Sequence, residues 1–256
     1  MPLKFEKPVV HEVSLVCEFE RVPDMRLNSK EVETLLKPLV GLPATATNVA
    51  DEDNPTKPRF IFPDPQNGKM LVVSQVQSNM IFRFEDPHLD YKELMGISEE
   101  IDKFSDAFIE LAGKSKIENL GLVVTTQLNV DLATRSEELH KHIFSKFYSL
   151  ETFSEIVEAK ARFGFRDENG INHIVNVSDF EIRDVKSAEL QQRAAQRKSI
   201  TIKLTDYPVS EKGIEVVADV NFRHALQSDE NVKLSFSALL NNSVNTLDKY
   251  INEVSN

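Results

Sequence analysis

The chain has 256 residues, 41% of them hydrophobic, which is enough to fill the core of one large domain or two small ones and excludes wholesale disorder. Its formal net charge of -11 disfavours a dedicated nucleic-acid-binding protein, because such proteins neutralise phosphates with a basic surface. Its single cysteine, Cys17, excludes an internal disulfide.

The sequence carries no evident signal for export or membrane insertion. Its first residues lack the apolar run of a signal peptide, and no stretch reaches the ~20 apolar residues of a membrane-spanning helix. We therefore expect a cytoplasmic protein with no membrane association.

The chain opens with a segment that predicts a strand and then a helix. Residues 11–21 alternate between apolar and polar side chains, as in a half-buried strand. Cys17 occupies an apolar position of this strand, so we expect a buried thiol and not a nucleophile. A helix should follow, with Asn28 or Ser29 as its N-cap and Gly41 at its end.

The rest of the first half predicts a loop, three strands and a long helix. Residues 43–58 are rich in proline and acidic residues, which is typical of a loop. The three strands are predicted at 59–62, 69–77 and 79–85. Asn67-Gly68 is a strong hairpin signal between the first two. Residues 91–112 repeat apolar side chains at steps of three and four, which predicts an amphipathic helix ending near Gly113.

The second half repeats this pattern. It predicts a strand, a helix capped by Thr134 or Ser136, and four more strands, with Asn169-Gly170 as a turn. The predicted strands are 120–130, 157–165, 173–183, 200–204 and 214–222. A long helix with an apolar stripe over 236–254 ends the chain.

This order predicts an α+β fold made of two pseudo-repeated units. Each unit reads as strand, helix, antiparallel strands and long helix, and the helices would pack on one side of an antiparallel sheet. The first half would span residues 1–114 and the second 115–256. The alternatives are two unrelated α+β domains, or one domain whose elements happen to alternate.

One polar segment interrupts the pattern. Residues 184–198 hold the most basic patch of this acidic chain. They would form either a short exposed helix or flap, or a solvated linker between strands.

The sequence contains none of the common catalytic, metal-binding or phosphate-binding motifs. Of the six histidines only His140 and His142 lie close together, and a spacing of two on a helix turns their side chains roughly 200° apart, so they cannot share one ion. No HExxH, CxxC, Gly-rich phosphate loop or GxSxG motif is present. We therefore assign no catalytic residue, no metal and no cofactor.

Four polar residues are candidates for binding a ligand or a partner. Asp219 and Asn221 alternate with apolar residues on the last predicted strand, so their side chains should share one face of the sheet. Arg223 continues this polar side, and Arg83 lies at a similar position in the first half. If this face lines a groove between the halves, the four residues would contact a ligand or a partner. If it faces water, they are ordinary solvated residues.

Three short stretches carry a family resemblance. They are Pro8-Val9-Val10-His11-Glu12-Val13, Gln127-Leu128-Asn129 and Ala218-Asp219-Val220-Asn221. In this order they resemble a sporadically distributed family of uncharacterised bacterial proteins of similar length. Members open with Pro-Pro-Ile-x-Glu-Val, carry Arg-Tyr-Ile-Asn after a middle strand, and place an Asp-x-Asp strand before a last long helix. This chain lacks the second proline, the Arg-Tyr pair and the second aspartate.

The resemblance implies a bacterial accessory protein of unknown activity, sometimes found in mobile or defence-associated regions, and it supplies no catalytic residues. With the missing motifs, it favours a non-catalytic interaction or adaptor protein that binds a protein partner or itself. An alternative is a small-ligand-binding protein with an apolar pocket between helix and sheet. A third hypothesis is a hydrolytic enzyme that uses Asp219 or a histidine from the other half.

Overall fold

The computed structural model describes residues 3–50, 52–84, 89–113, 116–148, 156–184, 207–223 and 229–256. Within these residues it contains nine strands, four α-helices and one 3-10 helix. The strands are β1 Val9–Phe19, β2 Thr45–Ala46, β3 Phe60–Asp64, β4 Lys69–Val73, β5 Gln77–Arg83, β6 Ile117–Asn129, β7 Lys160–Arg166, β8 Asn172–Arg183 and β9 Val209–Phe222. The helices are α1 Ser29–Val40, the 3-10 helix Tyr91–Ile97, α2 Ser98–Ala112, α3 Ser136–Phe147 and α4 Asp229–Ser255.

All nine strands belong to one antiparallel sheet in the order β2-β3-β4-β5-β1-β6-β9-β8-β7. The prediction of an α+β fold with an antiparallel sheet is therefore confirmed. The first strand of each half pairs with the last strand of the same half, β1 with β5 and β6 with β9. The two halves meet where β1 pairs with β6, so the sheet runs unbroken across the predicted division at 114 and 115, which itself stays a prediction.

One face of the sheet holds the main core. Leu15 lies in register with Met80 on β5 and with Leu122 on β6, and all three side chains are buried. Cys17 belongs to the same face and is fully buried, as predicted. Burial raises the pKa of its thiol well above the ordinary value, which keeps the sulfur protonated.

Helices α2, α3 and α4 contact residues of this buried face, the first two through aromatic rings and the third through a polar side chain. Phe108 of α2 meets Phe19 of β1 edge to face, with ring centroids 5.2 Å apart. Phe147 of α3 lies 5.3 Å from Phe163 of β7. Thr246 of α4 lies within hydrogen-bond distance of a buried histidine of β8. These contacts enclose the core between sheet and helices.

The opposite face is partly exposed. Ile81, Ser14, Val123, Asp219 and Ile174 lie in register across five neighbouring strands, and each side chain is partly exposed. We call the face that carries this row the partly exposed face. The alternation along each strand separates it from the buried core.

The Asn67-Gly68 hairpin is confirmed between β3 and β4. Asp64 pairs with Lys69 at the end of the ladder, and its carboxylate accepts a hydrogen bond of 2.8 Å from the Asn67 side chain. Gly68 has a φ of 62°, which favours glycine.

Several predicted boundaries were wrong. The helix predicted over 91–112 begins as a 3-10 helix, whose first turn is fixed by the Asp90 carboxylate accepting from the Lys92 N–H, and becomes α-helical at Ser98. Thr134 does not cap α3; Glu138 accepts a hydrogen bond from the Arg135 N–H instead. β7 begins at Lys160, later than predicted, and β2 was missed because a strand of two residues leaves no periodic signal.

The strand predicted at 200–204 and most of the polar segment 184–198 lie outside the described residues. Among the helices that are described, none has a stretch long and apolar enough to cross a membrane.

Candidate functional site

The four predicted site residues occupy two separate places in the fold. Asp219 and Asn221 lie on β9 and share one face of the sheet, as predicted, and Arg223 follows directly after the strand. Arg83 lies on β5, and β1 and β6 stand between β5 and β9. At the usual spacing of neighbouring strands this separation is about 14 Å, so Arg83 does not join the other three in one site.

Arg83 lies on the partly exposed face beside a cleft of the first half. Its Nε donates to Glu12 Oε2 on β1 at 3.0 Å, so both members of this ion pair lie in the first half. The cleft has a volume of about 800 Å³. Met70, Ile81 and Leu89 give it apolar walls.

The second half holds a chain of hydrogen-bonded side chains across three strands. Asn221 Nδ2 donates to Asp219 Oδ1 at 3.0 Å, and Asn172 Nδ2 on β8 donates to Asn221 Oδ1 at 3.1 Å. Arg166 Nε on β7 donates to Asn172 Oδ1 at 2.8 Å. Each amide uses its oxygen as acceptor and its nitrogen as donor, so the chain fixes the direction of every member.

This chain borders a smaller cleft of about 340 Å³. The cleft lies at the end of the partly exposed face nearest the β7–β8 turn. Its lining residues are Gly164, Phe165, Arg166, Asn172, His173, Ile174, Asn221 and Arg223. Within the described part of the chain, Arg223 forms no ion pair or hydrogen bond. The cleft therefore presents to solvent the fixed guanidinium group of Arg166 and that of Arg223, which has no partner among the described residues.

Sequence reasoning missed Arg162, Gly164, Arg166 and Asn172. The signal was present in β7, whose sequence KARFGFR alternates basic with apolar residues and contains a glycine inside a strand. A glycine in a strand interior often marks a place where another chain or a ligand approaches the backbone. No local pattern predicted the role of Asn172 on β8, because its contact with Arg166 depends on which strands pair.

His173 lies on the buried face of the sheet, between the side chains of Thr246 and Asp167. Its Nδ1 lies 3.0 Å from Thr246 Oγ1 of α4, and its Nε2 lies 3.5 Å from Asp167 Oδ2 in the β7–β8 turn. Phe165 stacks on the imidazole with ring centroids 4.6 Å apart. The order hydroxyl, imidazole, carboxylate matches that of hydrolytic triads. However, His173 is only 3% exposed and Thr246 only 6%, so the hydroxyl has no open approach for a substrate.

The two histidines of α3 have separate partners, as their spacing predicts. His140 Nε2 lies 3.3 Å from Asp179 Oδ2 on β8, whereas His142 Nε2 lies 2.7 Å from the Val254 carbonyl oxygen near the end of α4. Both bonds fasten helices to their neighbours. Over the described ranges, no three or more His, Cys, Asp or Glu side chains form a group that could hold a metal ion.

One carboxyl group on the partly exposed face has a shifted pKa. Partial burial raises the pKa of Glu215 on β9 above its ordinary value. A hydrogen bond from Gln127 and the nearby His11 oppose this shift, while the like charge of Glu12 adds to it. Glu215 therefore holds its proton more tightly in the folded chain than in the unfolded one.

Comparison with known proteins gives no further guide to these clefts. No model of a known protein family matches the chain, and no curated protein matches it either.

Proposed function

We propose that the chain is a non-catalytic interaction protein that binds a partner protein on the partly exposed face of its sheet. The observation that carries this proposal is the composition of that face, where apolar side chains alternate with polar groups that already pair with one another. The bacterial accessory role that the family resemblance implies belongs to the same proposal, and so does the cytoplasmic location expected from the sequence.

The apolar side chains of the face form a broad band. Partly exposed apolar residues occur on seven of the nine strands, counting β3, β4, β5, β1, β6, β9 and β8. They are Ile61, Met70, Val72, Ile81, Val16, Val123, Val217 and Ile174. A band of partly exposed apolar side chains interrupted by polar groups is a feature of protein interaction sites.

The polar groups among them are held in place by one another. Ser14 Oγ donates to Asn79 Oδ1 at 2.7 Å, and Arg83 pairs with Glu12 at 3.0 Å. Groups fixed in this way lose little freedom when a partner docks. A nucleophile activated by a neighbouring base would be the sign of catalysis. Among the described residues, the series at His173 resembles such an arrangement, and it is buried.

We further infer that the two halves are pseudo-repeats and that the helices lie on one side of the sheet. The equivalent strand order on either side of β1 and β6 supports the first inference. The contacts of α2, α3 and α4 with residues of the buried face support the second. Helices on one side would leave the partly exposed face free for a partner.

Site-specific photo-crosslinking in the native host tests this function. A photoreactive amino acid at Val123, in the middle of the face, should form an adduct with one protein. The same group at exposed Lys103 on α2 is the control and should not. Absence of an adduct at Val123, or equal adducts at both positions, contradicts the proposal. An adduct with a second copy of the chain would identify self-association instead.

The cleft beside Arg83 favours a second candidate function, the binding of a small molecule. Its volume of about 800 Å³ lies within the range of small-molecule sites, and its apolar walls carry charged groups such as Lys69 and Glu93 at the rim. A thermal-shift screen of metabolites, lipids and nucleotides tests this candidate. A hit should lose its effect in the Ile81→Arg variant, and a flat response across the screen excludes the function.

A further inference from the structure

β7 is a long strand at the edge of the sheet. In the described part of the chain it pairs only with β8, and it has seven residues, whereas β2 at the opposite edge has two. An edge strand presents unpaired N–H and C=O groups that can pair with another extended chain, and a short edge strand is a common protection against this. β7 lacks that protection.

The side chains of β7 make this edge basic and partly aromatic. Lys160, Arg162 and Arg166 lie on the partly exposed face, and the strand contains no acidic residue. On the other side Phe165 is 42% exposed. In a chain of net charge -11, a basic edge flanked by an exposed aromatic ring complements an acidic segment with interspersed apolar residues.

A notch lies over Gly164, between the two arginines. No heavy atom lies within 4 Å of the place where a Cβ at this position would be, and Gly164 lines the cleft of about 340 Å³. Alternate residues of a strand are about 7 Å apart, so a carboxylate placed over Gly164 would lie within reach of both guanidinium groups. The notch thus fits one acidic side chain of an incoming strand.

Both arginines have guanidinium nitrogens that can donate hydrogen bonds to such a carboxylate. The chain from Asp219 through Asn221 and Asn172 fixes Arg166 through its Nε, which leaves the two terminal nitrogens of the guanidinium for a ligand. Arg162 has no hydrogen bond or ion pair with the residues that the structure describes. An acidic partner would therefore gain charge-assisted hydrogen bonds without breaking an ion pair between these two arginines and the described residues.

We propose that β7 binds an extended acidic segment of the partner protein, which adds to the sheet as a further strand and places an acidic side chain over Gly164. This inference rests on the proposed function and names the element and the chemistry of recognition. Pairing of β7 with β7 of a second copy is disfavoured, because it would bring the basic side chains of two copies together. Backbone hydrogen bonds would supply affinity, and the notch would supply specificity.

Binding of a model peptide to the full chain tests the proposal. The probe is a labelled peptide of the length of β7 in which Glu and Val alternate, and its control has Lys in place of Glu. The Glu peptide should bind, measured by fluorescence anisotropy, and the Lys peptide should not. The double variant Arg162→Glu, Arg166→Glu should bind on the order of tenfold more weakly or worse, whereas Lys103→Glu, Lys116→Glu has the same net charge and should bind like the wild type.

A second variant separates the notch from general charge. Gly164→Val keeps every charge and suits a strand, and its Cβ would meet no neighbouring atom within 4 Å, yet the side chain would fill the notch. It should fold like the wild type and bind the Glu peptide on the order of tenfold more weakly. Hydrogen exchange should show new protection of β7 amides when the peptide binds.

The proposal is overturned if the Glu peptide does not bind, if binding is insensitive to both variants, or if β7 gains no protection. If the peptide fails in this way while Val123 still forms an adduct with a partner, only the role of β7 is wrong. If no adduct forms at Val123 either, the proposed interaction function is also wrong.

Discussion

Gly68 shows how a single residue determines whether a hairpin can form. A Cβ at this position would lie 2.3 Å from the Arg83 carbonyl oxygen, and the backbone has a φ of 62°. We expect Gly68→Ala to lower the free energy of unfolding by roughly 2 kcal/mol or more, because both the clash and the backbone conformation oppose a side chain. Gly164→Ala is the matched control, since open space surrounds that position. Denaturant unfolding of both variants checks this, and equal midpoints would contradict it.

Glu215 gives the fold a dependence on pH at the scale of one residue. Because burial raises its pKa in the folded chain, stability is lost as the pH rises from the ordinary glutamate pKa, about 4.3, through the folded-state value. We expect Glu215→Gln to raise Tm at neutral pH. The gain in the free energy of unfolding should be less than about 1 kcal/mol, because the group is only partly buried. The difference should vanish below a pH of about 4.

Glutamine at this position can still accept the hydrogen bond from Gln127. Glu118→Gln, at an exposed position, is the control and should leave Tm nearly unchanged. Thermal unfolding across the pH range measures both variants. A lower Tm for Glu215→Gln at neutral pH would show that the carboxylate is stabilised by its neighbours instead.

At the scale of elements, one buried hydrogen bond fastens α4 to β8. Thr246→Val keeps the shape of the side chain but leaves His173 Nδ1 without its partner at 3.0 Å. We expect a loss of about 1–3 kcal/mol, the usual cost of a buried polar atom left unpaired. Ser243→Ala is a control on the same helix, because its buried hydroxyl has no partner in the described part of the chain. Because this change removes a buried hydroxyl that makes no hydrogen bond there, it should not lower stability.

Chemical denaturation of the two variants is the measurement. If Ser243→Ala costs as much as Thr246→Val, the loss comes from packing of the helix and not from the imidazole. A double variant with His173→Phe should cost less than the sum of the single changes, because both changes remove the same bond.

At the scale of the whole molecule, the two halves depend on each other. β1 pairs with β6 along most of its length. Tyr91 Oη donates to Asp248 Oδ1 at 2.8 Å, and the rings of Phe104 and Phe236 are 6.1 Å apart, so the end of the chain packs on elements of the first half. Burial raises the pKa of Tyr91, and the hydrogen bond to the Asp248 carboxylate adds to this effect.

We therefore expect that neither residues 1–114 nor residues 115–256 fold alone. Each fragment would expose a central strand and an uncovered part of the core, whereas co-expression should restore a soluble complex with the helix and strand content of the intact chain. Circular dichroism and size-exclusion chromatography check this. A monomeric 1–114 fragment with a cooperative unfolding transition would show that the halves are independent domains.

The sequence by itself determined the properties that depend on local geometry. Alternation along a strand placed Cys17 in the core and put Asp219 and Asn221 on one face, and Asn67-Gly68 indicated the hairpin. These features follow from the two-residue repeat of a strand and from the conformations that glycine allows, so neighbouring residues suffice to predict them.

Only the tertiary structure decided which distant residues meet. The strand order separated Arg83 from Asn221 and joined Asn221 to Asn172 and Arg166. It also brought Thr246 of the last helix to His173. Strand order results from the packing of the whole core over long sequence separations, and no local pattern of side chains records it.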